Sequence, residues 1–159
     1  MTTPPRIPGR LMGIDHGLKR IGLAVSDPSG LVARELAIIQ RSSRMEDFEK
    51  ILAHAEAQEV VGFVVGVPAN PDALPGARNH AASVLRWLDH FKKTTTLPII
   101  RWDETLSSQD AQALARRAKR RYDAPIDDLA ARIILQSYLD ALHEGLTEHP
   151  VLDDTGTSG

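Results

Sequence analysis

"LMGIDHGLKRIGLAV", residues 11–25, sets two apolar runs on either side of an acid, a glycine and two cations. Leu11 to His16 and Ile21 to Ser26 have the apolar composition of strands. The connection between them is short, so they pair antiparallel, because a parallel pair needs a crossover of about a dozen residues or more. Asp15 closes the first run, where an isolated ionised carboxylate is expensive to bury and must be paired, neutralised or bound to a cation. Gly17, Lys19 and Arg20 then form a hairpin turn whose cations sit beside that acid.

Working outward, "DPSG" at residues 27–30 is a turn into a third strand, Val32 to Ile39, and the three strands make an antiparallel meander. Ser43, with Glu46 three residues on, reads as a capping box, and Met45, Phe48, Ile51, Leu52 and Ala55 share one apolar face of a helix ending near Gln58. "VVGFVVGV" from Val60 is continuously apolar, as a central strand covered on both faces would be. After the loop "PANPDALPG" from Pro68, helical spacing resumes near Asn79 with Val84, Leu85, Leu88 and Phe91, and a short strand runs from Ile99 to Trp102. Ser107 or Ser108 caps a helix reaching about Lys119, and Asp127 caps a last helix from Asp128 to about Glu144, ended by Gly145. This order predicts the α/β class: a mixed sheet with helices on its faces.

The composition narrows the function. A chain of 159 residues holds one domain, and no apolar stretch approaches the roughly 18 residues of a membrane span. With no cysteine there is neither a disulfide framework nor a thiolate metal site, and the first ten residues lack the apolar core of a signal peptide, which points to the cytoplasm. Residues 1–10 and 147–159 read as disordered or flexible tails around a single domain at 11–146. The net charge of −2 does not itself advertise a nucleic-acid protein, but a balanced total can hide a basic stripe.

Three acids stand where elements begin or end: Asp15 after the first strand, Glu104 in "RWDETLSS" after the last, and Asp127 in "PIDDLAARIILQSYLD" at the start of the last helix. If the first and last strands are neighbours, Asp15 and Glu104 converge at one sheet edge, and a helix start packed there adds Asp127. Carboxylates clustered without a matching cation raise one another's pKa or recruit a divalent metal, and oxygen-only ligands suit magnesium or manganese. Such a site leaves room for phosphate oxygens, and two ions about 4 Å apart can serve an in-line phosphodiester displacement. Taken singly, Asp15 could simply end a strand, Glu104 could complement a helix dipole and Asp127 could be a plain cap.

"ARRAKRRYDAP" from Ala115 places Arg116, Arg117, Lys119, Arg120 and Arg121 just before the third acid, where they serve either as phosphate contacts or as a solvated helix end. Lys19 and Arg20 are the better placed phosphate contacts. Asn70 bonds substrate or its own turn, while Ser107 is a cap first and a substrate contact second. Trp87 falls in helical register with the core, Trp102 reads as packing, and aromatics make up only 4% of the chain, which argues against a base-stacking platform and for backbone and shape recognition.

"GIDHGLKRIGLAVSDPSG", "VVGVPANPD", "RWDETLSSQDA" and "IDDLAARIILQSYLD", in that order from Leu11 to about Asp140, together resemble the YqgF family, the RuvX-type Holliday junction resolvases. The resemblance implies an RNase H-like fold with a central mixed five-stranded sheet flanked by helices on both faces. It also implies a Mg2+- or Mn2+-dependent nuclease whose catalytic and metal-holding acids are Asp15, Glu104 and Asp127, with Asp103 and Asp128 standing beside the last two. Its substrate would be branched DNA or the 5′ end of the small-subunit ribosomal RNA precursor. Where the family has an aromatic residue and then Gly-Thr after the first acid, this chain has His16, Gly17 and Leu18, and where it has Asp-Gly in the later loop this chain has Asp72 and Ala73.

Two other classes compete. A non-catalytic nucleic-acid-binding or ribosome-assembly factor would keep the fold and the basic stretch without cleaving. An actin-like phosphotransferase shares the Asp-x-Gly hairpin, but encloses its nucleotide between two such domains, and this chain has length for one; it also has no P-loop. Symmetric cutting of a junction would call for a two-fold homodimer.

Overall fold

Alternate residues of a strand face opposite sides of its sheet, and both sides of the strand Arg10–His16 (β1) are buried: Met12 and Ile14 join one apolar cluster, Leu11 another. The computed structural model describes residues 9–17, 19–67, 77–103 and 126–145, with backbone alone at 77–80, 103 and 126–129. β1 pairs antiparallel with β2 (Arg20–Ser26), which pairs antiparallel with β3 (Ala33–Gln40), the expected meander. On its other side β1 runs parallel to β4 (Val60–Val67), which runs parallel to β5 (Ile99–Asp103), giving the sheet order β3-β2-β1-β4-β5.

Helix α1 (Arg44–Ala57) starts where the capping pattern places it: the Ser43 side chain accepts the Glu46 N–H at 3.1 Å. Phe48, Ile51 and Ala55 of α1 pack with Val84, Trp87, Leu88 and Phe91 of α2 (Ala77–Phe91) over Met12, Ile14, Phe63 and Val65. The opposite face carries α3 (Ile126–His143), whose Ala131, Ile134, Leu135, Tyr138, Leu139 and Leu142 cluster with Leu11, Ala24 and Val64. Helices therefore cover both faces, as expected, and among the described residues none is long and apolar enough to cross a membrane.

The structure corrects several local expectations. β1 and β5 are not neighbours, because β4 lies between them. β1 begins at Arg10, which the sequence reading placed in the tail. Met45 is 72% exposed: the inward place in the first turn of α1 goes to Asp47, 1% exposed, whose carboxylate turns back to accept the Ser42 N–H at 3.0 Å. Leu85 is exposed on the flank of the α2 stripe. α3 begins at Ile126, so Asp127 lies inside its first turn rather than at its cap. The helix expected from Ser107 to Lys119 lies outside the described residues.

Candidate active site

Asp15 is the penultimate residue of β1 and is only 7% exposed. The alternation that sends Met12 and Ile14 toward α1 and α2 puts Asp15 on the α3 face with Leu11 and Gly13. His16, on the other face, is buried against Trp87 with ring centroids 4.8 Å apart, so its imidazole packs as a ring among the core aromatics.

The turn after Asp15 is tight. The Gly17 N–H donates to the Arg20 carbonyl at 2.9 Å, and a Cβ on Gly17 would stand 2.6 Å from that same oxygen. Any larger residue must shift the turn. Lys19 and Arg20 are exposed on it, beside the acid, as the sequence reading expects.

α3 is docked so that its start comes to the Asp15 end of the sheet. His143 Nε2 lies 3.1 Å from the Gly30 carbonyl, in the turn between β2 and β3, which is the end where β1 begins. Arg132 Nη1 donates to Glu35 at 2.9 Å, and Glu35 pairs with Ala24, the partner of Gly13. At Gly13 helix and strand touch: a Cβ there would lie 2.8 Å from the Ala131 carbonyl and 2.7 Å from the Leu135 Cβ. α3 therefore runs antiparallel to β1. Going from Gly13 to Asp15 advances about 7 Å along a strand, and going back one turn from Ala131 to position 127 retreats about 6 Å along a helix, so the backbone of 127 comes level with Asp15.

Across the sheet, Ile14 pairs with Val65 and Val65 with Arg101, so the next rung holds Asp15, Gly66 and Trp102. β1, β4 and β5 run parallel and finish at this end. Two strand spacings separate β1 from β5, about 10 Å, and the residue between them on this rung is a glycine, which puts no side chain in that gap. Trp102 packs edge-on against Tyr138 at 5.2 Å and donates from Nε1 to Ser137 Oγ at 3.1 Å, which makes it a packing residue as expected. Burial raises the Tyr138 pKa, so its phenol stays neutral and is no general base at ordinary pH.

Of the acids the sequence singled out, the side chain of Asp15 is described, Asp127 and Asp128 have described helical backbone, Asp103 has described strand backbone, and Glu104 lies outside the described residues. Asn70, Ser107, Arg116, Arg117, Lys119, Arg120 and Arg121, with Leu18 and Ala73, lie outside them too. Among the described residues no three acids or histidines gather as a metal site. Asp15 itself fits a hard divalent cation in the chemistry of its donors: it is a carboxylate, an oxygen ligand, largely buried at the end of β1. Sequence reasoning passed over Gly66 and Gln136. The Gln136 amide accepts the Ala33 N–H at 2.8 Å and donates to the Leu31 carbonyl at 3.0 Å, tying α3 to the β2–β3 hairpin. A helical glutamine reads as solvated, so no sequence signal marks it.

A family model described as "RuvX: Holliday junction resolvase" matches residues 9–141. A protein of Thermoanaerobacter pseudethanolicus named "Putative pre-16S rRNA nuclease" is 42% identical over 138 residues, covering 83% of this chain and 96% of its own length. One of the same name from Bradyrhizobium diazoefficiens is 41% identical over 139 residues, 84% of each chain. Among solved structures, T. thermophilus RuvC in complex with a Holliday junction substrate aligns with a TM-score of 0.60 at 14% identity, over 86% of this chain and 96% of that one, a likeness of fold.

Proposed function

The chain belongs to the RuvX family and has its RNase H-like fold, and on that premise we propose that it is a divalent-metal-dependent endonuclease that hydrolyses phosphodiester bonds in structured nucleic acid. The observation that carries the reading is the placement of Asp15: a buried carboxylate on the α3 face, at the sheet end where β5 finishes and α3 begins. Glu104 comes directly after the end of β5 in the sequence, and the backbone of position 127 is level with Asp15 along α3. These three acids are proposed to hold Mg2+ or Mn2+. Bound there, two such ions would supply an activated water and charge stabilisation for the leaving oxygen.

The chain's own residues do the rest. Asp15 is carried on a strand packed on both faces, which fixes the position of its carboxylate more closely than a loop would. Lys19 and Arg20 receive a phosphate that the acids alone would repel. Asn70, Ser107 and the cations Arg116, Arg117, Lys119, Arg120 and Arg121 extend the phosphate contacts along the substrate. The names of the relatives favour the 5′ end of the ribosomal RNA precursor, and the family description favours the Holliday junction, whose symmetric cutting would engage two copies of the chain.

The test offers a four-way DNA junction and an extended 16S rRNA precursor side by side, with manganese or with chelator, and maps the cuts. Manganese-dependent cleavage is expected, abolished in Asp15→Asn with binding retained. Binding without cleavage under every metal condition would instead make this an assembly factor.

A further inference from the structure

We propose that Arg41 is a positioning residue that holds the β1–β2 turn, and with it Lys19 and Arg20, in the pose that receives a substrate phosphate; this rests on the reading of the site just given. Arg41 follows Gln40, the partner of Arg20 in the β2–β3 ladder, and it grips the turn twice. Its backbone N–H donates to the Lys19 carbonyl at 2.9 Å, and its Nη1 donates to the Gly17 carbonyl at 3.0 Å. The guanidinium is fixed from behind as well: Nε lies 3.9 Å from Oδ2 of Asp47, which is 1% exposed on the side chain and accepts the Ser42 N–H at 3.0 Å. The start of α1 is thus coupled through one side chain to the turn after Asp15.

Geometry separates this role from a plain phosphate contact. The Arg41 side chain is 30% exposed, with Nη1 donating to a carbonyl and Nε within ion-pair distance of a buried carboxylate, whereas Lys19 and Arg20 belong to the exposed surface. A planar fork can serve Gly17 and Asp47 at once; an ammonium, a point charge on a flexible stem, does not reproduce that geometry. Long cationic side chains on a loose turn must be ordered each time they bind, which weakens binding, and a turn held at two carbonyls lowers that cost. The turn also has no room for a side chain at Gly17, where a Cβ would stand 2.6 Å from the Arg20 carbonyl oxygen.

The experiment compares Arg41→Ala, Arg41→Lys, Lys19→Ala and the double variant Arg41→Ala/Lys19→Ala on the junction and the RNA precursor. Arg41→Ala should raise KM about three- to tenfold, the ordering cost of one or two long side chains, while kcat moves less. Arg41→Lys should not restore KM, and Lys19→Ala should add little in the Arg41→Ala background, since both act through one turn. Full rescue by lysine, or additive losses in the double variant, would make Arg41 an ordinary phosphate contact and overturn the proposal. Amide hydrogen exchange at Gly17 reads the brace without substrate: it should quicken in Arg41→Ala, and unchanged exchange also overturns the proposal. Wild-type protein that binds neither nucleic acid, with Gly17 exchange still responding to Arg41, would sink the functional reading and leave the brace standing.

Discussion

Asp27 shows how much one side chain organises at the end of the sheet opposite the site. Its Oδ1 accepts the N–H groups of Leu31 and Val32 at 2.8 and 3.0 Å, and Ser29 Oγ donates to Oδ2, while the Gly30 N–H closes the turn on the Asp27 carbonyl at 3.0 Å. Burial opposes ionisation, yet the Ser29 hydroxyl and the N–H groups of Val32, Leu31 and Ser29 outweigh it and hold the carboxyl down at about 2 from its ordinary 3.8. A folded pKa below the unfolded one adds stability above the unfolded value, and that stability is lost as pH falls through the folded one. Urea midpoints should therefore drop between about pH 4 and pH 2, and Asp27→Asn should flatten that part of the profile; an unchanged slope would remove Asp27 from the account. This turn was legible in "DPSG", because Asp and Gly have turn chemistry at fixed offsets. Arg41 was not, since its partners are brought to it by the β2–β3 pairing.

At the scale of elements, α3 carries one proposed acid and must be seated on β1 to deliver it. Gly13 is the seat, and Ala there has to displace the Ala131 carbonyl and Leu135. Gly13→Ala should destabilise by about 1–3 kcal/mol, an overpacking cost, and should depress cleavage beyond what the stability loss explains, because α3 moves relative to Asp15. A stability loss with cleavage intact at low temperature would show that α3 need not be seated so closely. The elements themselves could be read from the sequence: the strands from apolar runs, and α1 from Ser43 and Glu46. Their lateral order could not. Nothing local in β5 says that β4 will stand between it and β1, since strand order follows from where the crossover helices pack. The Met45 expectation failed for a similar reason, because helical period marks a face but not which residue of the first turn Asp47 displaces from it.

For the whole molecule, a net charge of −2 conceals a division of labour: Lys19 and Arg20 lie at the same sheet end as Asp15, so the overall charge is a poor guide to the partner. The meander supplies the turn and its cations, the parallel half of the sheet brings strand ends together, and α3 runs back across them. The central claim is that Asp15, Glu104 and Asp127 meet there around a divalent cation, and manganese tests it directly through its paramagnetism. Titrated into labelled protein, Mn2+ should broaden the backbone amide signals of Asp15, Glu104 and Asp127 together at low stoichiometry, with those of Ala55 and its neighbours in α1 left sharp, and Asp15→Asn should suppress all three effects. Broadening confined to one of the three, or unaffected by Asp15→Asn, would contradict the account.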